Sequence, residues 1–411
     1  LHGKGALTKP ILWVGPKVSL LNVKREIECY GGIMDHTVKV IRKSSDFTKP
    51  QAGEIIVVSY DLATRLAAQL TECSFSVIVL DELQYLKSIK AKRTKAFFGT
   101  RRRPGIAANA DYLWALSGTP MPNNVGELYP FLHEAGYAPM SYYKYIERHC
   151  KLEQTKWAPR IVGNNSAQVK MLMRQIAPLY DRVRKKDVLK DLPDVRFAEV
   201  PVMGEKTARK KIAALEAEKT SEINDLLRSI QGKGLPPSDS MSTLRRITEL
   251  AKAGDCVELL EAELADRAIE KVVVFATHRD TITALANGLD AFGVRVIHGG
   301  VSDTQRQKAI DEFQEDENVR VFIGQTVAAG TAVTLHAHGA CQDVVFVSAD
   351  WVPANNAQAV ARVHRKGQTG NVVARFLHLE NSTDEAVMRA LARKTRMISE
   401  AFEEDKAHHA A

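Results

Sequence analysis

Two adjacent carboxylates, Asp81 and Glu82, end the apolar run VIVLDELQ at residues 77–84. Paired acids at the end of a buried strand can share the work of phosphoryl transfer. Asp81 would hold a Mg2+ ion, directly or through water, and Glu82 would polarise a water for attack on a phosphate. A second candidate lies far downstream in QAVARVHRKGQ, residues 358–368. There Arg362 and Arg365 are three residues apart, so on a helical turn both point one way. An arginine fork binds phosphate oxygens and stabilises charge that develops on them; a solvated basic helix face is the plainer alternative. Ser117-Gly118-Thr119-Pro120 offers small hydroxyl residues in a tight turn, which is also how many strands pass into helices. GQTVAAGTAVTLHAHG, residues 324–339, is small and hydroxyl-rich. It suits close backbone approach to a phosphate or to another lobe, and equally a tight packing turn.

These groups need strands and turns to hold them. Four apolar β-formers running into acids fit a strand buried on both faces of a parallel sheet. The acids then fall at the carboxyl end, where open α/β sheets place ligands. ILWVG (11–15), residues 38–41, residues 55–58 and DYLWAL (111–116) read as further strands, alternating with helices at 20–30 and from about Asp61. Such alternation predicts a doubly wound parallel sheet. It stops between about Leu128 and Ala265. That stretch reads as mixed, then helical over 205–229, broken at 232–240, and helical again over 242–264. Alternation resumes with KVVVFATH (271–278), VRVIHGG, VRVFIGQT (319–326), DVVFVSAD (343–350) and VVARFLHL, before a terminal amphipathic helix. The expected fold class is α/β, with domains at 1–128, 129–265 (helical insertion and linker) and 266–411.

With 411 residues the chain is long enough for two or three cores. Its 45% hydrophobic and 26% charged content is that of a globular protein. A net charge of +8 favours a polyanionic partner, though mildly. The five cysteines form no C-x-x-C pair, which argues against a zinc site or a disulfide framework. No run approaches a membrane span, and no signal-peptide pattern opens the chain, so no membrane partner is expected.

Order and spacing of these stretches together resemble the Swi/Snf-type branch of the superfamily-two helicases, and within it the annealing-helicase subgroup. DELQYLKSIKAKRTKAF resembles the Asp-Glu box with its tail, and ALSGTPMPNNVGELYPFL the third motif. KVVVFATHRDTITAL with IHGGVSDTQRQKAIDEFQ resembles the fourth, and QAVARVHRKGQT the sixth. The resemblance covers about residues 10–391 and is weakest in the middle. It implies two RecA-like lobes and a DNA-dependent ATPase that uses ATP and Mg2+. In it Asp81 and Glu82 form the Walker B pair with the metal at Asp81, and Arg362 and Arg365 are arginine fingers. Gln84, Ser117, Gly118, Thr119, Gly330, Gln358 and Gln368 would bind nucleotide or couple its state to lobe movement. Lys17 and Ser19, Ser59 and Tyr60, and Thr277, His278 and Thr326 would contact nucleic acid. Such contacts read DNA backbone, so sequence specificity is not expected. The implied location is cytoplasmic in a bacterium or phage-infected cell and nuclear in a eukaryote.

Departures from the pattern shape the rival reading. The family's Gly-x-Gly-Lys-Thr phosphate loop should precede ILWVG by about two dozen residues. LHGKGALTKP has no Ser or Thr after Lys4, and reads as tail. The opening Leu1 favours truncation over natural loss of the loop. Gln84 stands where a His is usual; its amide can still bond a phosphate-linked water or Ser117. Ala332 and Thr334 replace a usual Gly and Asn, and Ala361 an acid. The expectation is an ATP-dependent DNA translocase acting on duplex or branched DNA. The alternative is a non-hydrolysing DNA- or partner-binding module built on the same lobes.

Overall fold

The computed structural model describes residues 8–30, 36–100, 102–118, 120–121, 124–154, 159–181, 183, 188–189, 191–230, 241–326 and 333–404. It divides into two compact units, residues 1–181 and 182–411.

The first unit is built on a five-stranded sheet of β1 (Ile11–Gly15), β2 (Thr37–Ile41), β3 (Glu54–Ser59), β4 (Phe75–Asp81) and β5 (Ala110–Leu116). Their order is β2-β3-β1-β4-β5, all parallel. Both faces of the central strands are covered, which is why their sequences are unbroken apolar runs rather than alternations. Leu12, Val14, Ile56, Val58, Ile78 and Leu80 share one core with Tyr60 and Phe97. Ile11, Ile55, Val57, Val77 and Val79 meet Leu20 and Val23 of helix Leu20–Tyr30 on the other face. β5 differs: it is the last strand in the order, and Tyr112, Trp114 and Leu116 on its outer face are 44%, 49% and 42% exposed.

After β5 the aromatics of residues 141–150 gather around Tyr129, which meets Tyr142 and Tyr145 at 5.3 and 5.2 Å. This satellite core includes Val125, Ile146, Leu172 and Ile176. An antiparallel hairpin, β6 (Cys150–Glu153) and β7 (Arg160–Asn164), lies within it.

The second unit holds six parallel strands: β8 (Val195–Val202), β9 (Lys271–Ala276), β10 (Val294–Ile297), β11 (Val321–Gln325), β12 (Cys341–Phe346) and β13 (Val372–Leu379). Their order is β10-β11-β9-β12-β13-β8. Phe275, Phe346 and Phe376 stack in series across β9, β12 and β13, at 5.2 and 4.6 Å.

Residues 129–265 therefore contribute to both units. β8, within that stretch, pairs with β13 along its whole length, from Val195 beside Val372 to Val202 beside Leu379. Its alternating VRFAEVPV suits an edge strand, where Pro201 is tolerated, and its partner lies far along the chain. The helix expected over 242–264 is two helices, Ser242–Ala251 and Ala253–Ala265. Lys252 sits at their junction, 1% exposed, and donates its ammonium to Leu377 O and Asp384 Oδ2, both at 2.9 Å.

Candidate active site

Register sets the first half of the site. Gly15 pairs with Ser59, Val14 with Leu80, and Asp81 with Leu116. Ser59, Gly15 and Asp81 thus end three neighbouring strands, and Ser117 directly follows the fourth, on one carboxyl edge, where ligands of open parallel sheets bind. Gly15 keeps that edge open. A Cβ there would stand 3.1 Å from Ser19 Oγ and 3.4 Å from Asp81 Oδ2.

Glu82 leaves the strand in a left-handed conformation, φ 57° and ψ 60°. For a non-glycine residue this costs on the order of 1–3 kcal/mol. The turn folds the chain back so that Gln84 Nε2 donates to Glu82 Oε2 at 2.6 Å. The other end of the Gln84 amide accepts from Ser117 Oγ, also at 2.6 Å. Glu82, Gln84 and Ser117 therefore form one chain of hydrogen bonds between the turns after β4 and β5. Both ends of the Gln84 amide are thus engaged. A Cβ at Gly118 would meet nothing within 4 Å, so packing does not demand that glycine. Thr119 lies outside the described residues.

Among the expected nucleic-acid contacts of this unit, Lys17 is exposed and Ser19, Ser59 and Tyr60 are buried. Ser19 Oγ donates to Pro16 O at 2.9 Å. Ser59 Oγ accepts from Leu62 N at 3.3 Å as the N-cap of helix Tyr60–Arg65. Tyr60 is 2% exposed, and its hydroxyl donates to Asp81 O at 2.8 Å. Burial, reinforced by the Asp81 and Glu82 carboxylates, drives the Tyr60 phenol far above its ordinary value, so it stays a neutral donor. Its ring stacks on Tyr85 at 5.2 Å and meets Phe97 edge-on at 5.7 Å. The side chain read as a DNA contact is turned inward, where it braces the strand that carries the acids. A tyrosine following a strand carries no sequence signal that separates these two roles.

In the second unit the arginine helix is shorter than the spacing implied. Helix Pro353–Val360 ends before Arg362, and tight turns carry the chain onward. Val363 N donates to Val360 O, and Gln368 N to Arg365 O, both at 3.0 Å. The two arginines therefore lie beyond the helix rather than on it. Arg365 Nη1 donates to Val333 O at 3.3 Å, and Arg362 O accepts from Leu335 N at 2.9 Å, tying this segment to the loop before β12. Gly367 has φ 99°, and a Cβ there would reach 3.1 Å from His336 Cε1, so glycine is required. Gln368, expected to couple nucleotide state, is 6% exposed. It donates to Cys341 O at 2.7 Å and accepts from Thr369 N at 2.9 Å. Both ends of its amide serve the turn. Gln358 is half-buried on the helix, and Gly330 lies outside the described residues.

The carboxyl ends of β9, β11 and β12 bring Thr277, His278, Gln325, Thr326 and Ser348 to one edge. Gln325, which the sequence did not single out, donates to Thr277 O at 2.8 Å and accepts from Gly299 N at 3.0 Å. Thr326 is 5% exposed, behind this edge. Arg245 and Glu249, from the helix Ser242–Ala251 ahead of β9, also meet Thr277 and His278.

The model of the SNF2-related domain matches residues 2–251, and that of the helicase conserved C-terminal domain matches residues 254–367. The chain belongs to the SNF2-related family. Its two parallel-sheet units are the RecA-like lobes of that family. Among curated relatives, the SWI/SNF-related matrix-associated actin-dependent regulator of chromatin subfamily A-like protein 1 of Xenopus tropicalis is 28% identical over 90% of this chain and 38% of its own length. The human DNA annealing helicase and endonuclease ZRANB3 is 25% identical over 94% of this chain and 36% of its own. The SNF2-related chain spans between 35% and 55% of the length of the first relatives it matches. A solved Sulfolobus solfataricus SWI2/SNF2 ATPase core in complex with dsDNA is 22% identical, covering 98% of this chain and 84% of that one, with a TM-score of 0.41. No helix among the described residues is long and apolar enough to cross a membrane.

Proposed function

We propose that this protein is a DNA-stimulated ATPase whose two lobes move it along duplex or branched DNA. The observation that carries the reading is the Glu82–Gln84–Ser117 chain of hydrogen bonds beside Asp81, at the carboxyl edge of the first sheet. A carboxylate held by an amide, which is itself tied to the next strand's turn, is an oriented base for one water. In-line attack on a phosphate needs that orientation more than it needs a strong base. Gln84 then links the state of Glu82 to the β5 turn, a route by which hydrolysis could move the chain after β5.

The donors present fit a Mg2+ ion. Asp81 supplies a hard carboxylate beside the opening kept by Gly15. No group of three or more His, Cys, Asp or Glu that could hold a metal occurs among the described residues. The ion would therefore take Asp81 together with water and phosphate oxygens, the usual Mg2+ arrangement. When bound, it neutralises phosphate charge. Arg362 and Arg365 would stabilise charge on phosphate oxygens, and the edge at Thr277 and His278 would meet the DNA backbone.

The test is ATP turnover with and without duplex DNA, in protein carrying a phosphate loop ahead of β1. DNA-stimulated hydrolysis is expected. DNA binding with no hydrolysis would replace this reading with that of a non-hydrolysing binding module.

A further inference from the structure

Helix Ser242–Ala251 lies outside every stretch assigned to chemistry, yet it sends two charged side chains to the edge of the second sheet. Arg245 and Glu249 are four residues apart and so share one helix face. Glu249 is 1% exposed and uses both carboxylate oxygens. Oε1 accepts from Thr277 N at 2.7 Å and His278 N at 3.0 Å, and Oε2 meets His278 Nδ1 at 2.7 Å. His278 is the N-cap of helix Arg279–Gly288 and makes no capping bond of its own. Glu249 thus caps that helix from another element, its negative charge at the positive end of the helix dipole.

Arg245 holds the same residues from the other side. Its Nη2 donates to Thr277 Oγ1 at 2.9 Å and Ala349 O at 2.7 Å, and its Nε donates to Ser348 Oγ at 3.1 Å. The guanidinium carbon lies 4.7 Å from the centre of the Trp351 ring. A hydroxyl that accepts from a guanidinium must turn its own hydrogen elsewhere. Among the described residues, the acceptor it meets is Ser348 Oγ at 3.5 Å, the limit of a useful bond. The Thr277 hydrogen is therefore held ready for a better acceptor, such as a phosphate oxygen.

We propose that Arg245 and Glu249 are positioning residues for DNA. They fix Thr277 as a hydrogen-bond donor and His278 in a single orientation, so that the end of β9 meets the phosphate backbone without rearranging. This rests on the reading of Thr277 and His278 as backbone contacts.

The test is binding of fluorescein-labelled duplex DNA to the full chain, followed by anisotropy over a series of salt concentrations. Glu249→Ala is expected to weaken binding roughly tenfold and to flatten the dependence of log K on log salt by about 0.9, the loss of one phosphate contact. Thr277→Val should do the same. The double variant should be no more than about twofold weaker than either single one, because the two residues act as one unit. Glu249→Gln, which keeps an acceptor for the two amides, should stay within about twofold of wild type. Should Glu249→Ala fold poorly, Arg245→Lys carries the same expectation, since it keeps the charge and loses the fork. A merely structural role would lower the melting temperature and leave the salt slope unchanged. Wild-type binding with an unchanged slope in Glu249→Ala and Arg245→Lys overturns this inference alone. Wild-type protein that binds no duplex overturns the DNA reading and this inference with it.

Discussion

In the first lobe the polar groups at the carboxyl edge come from the turns that follow its own strands. Gln84 reaches Glu82 two residues away, and Ser117 reaches Gln84 from the next strand. In the second lobe the comparable edge is held by residues from outside the sheet, Arg245 and Glu249 on a preceding helix. Charges divide the same way. Among the described residues, the ion pairs of the first lobe keep their lysine at the surface, as in Lys87–Glu127, where the lysine is 39% and the glutamate 12% exposed. The second lobe buries charge. Lys252 is 1% exposed against Asp384, and Arg375, at 10%, bridges Glu263 and Asp343. An edge built from short turns can move with its strand ends, whereas one clamped by a distant helix is fixed when the lobe folds. The first arrangement suits chemistry that changes with each turnover, and the second a track that must keep its shape.

The sharpest way to break this comparison is Glu82→Gln, measured in protein carrying a phosphate loop. ATP turnover should fall by about four orders of magnitude while DNA anisotropy is unchanged; retained turnover would remove Glu82 as the base. Arg365→Ala should cost roughly a thousandfold in turnover, the lower end of what finger losses cost. An unchanged rate would leave Arg365 a structural role, tying its turn to Val333 O. Stability should separate the lobes next. Lys252→Met leaves Asp384 without its buried partner and should cost about 3 kcal/mol in denaturant unfolding. Lys87→Met in the first lobe should cost less than about 1 kcal/mol. Equal losses would mean that the contrast in burial has no energetic weight.

The smallest expected effect is on pH. Burial holds His336 and His378 in the second lobe, and His149 in the first, below the ordinary value of 6.5; Arg365 adds to the effect on His336 and Arg148 to that on His149. In each case the unfolded state binds the proton more readily. The stability is therefore present above pH 6.5 and is lost as pH falls below it, towards the depressed folded values. Neither ring nitrogen of His378 has a hydrogen-bond partner. His378→Phe should flatten the acid side of the unfolding curve, and amide exchange on acidification should rise first in the second lobe. A curve of unchanged slope would show that His378 is not part of the acid response.

How much could be read from the chain follows from distance along it. Strand β4 and its two acids were plain, because both-face burial writes itself as a continuous apolar run. The Gln84–Ser117 bond was also within reach, since Ser117 sits one position and Gln84 three positions past a recognisable strand end. Strand β8 was not, because its alternating sequence gains an ordered place only against β13, which follows 177 residues later (372 − 195). Tyr60 and Gln368 were expected to be ligand contacts from their places in the resembled motifs, whereas their own side chains turn into the core.

The sequence by itself determined the α/β class, the two lobes, the order of the motifs and the residue types, Asp81, Glu82, Arg362 and Arg365, on which the proposed chemistry rests. These depend on periodicity and residue type, which are local. Only the tertiary structure decided which polar groups meet from far apart in the chain: Glu249 across Thr277 and His278, and Lys252 beneath Asp384. A buried polar group must find a partner wherever the fold brings one, and the fold is not bound by distance along the chain.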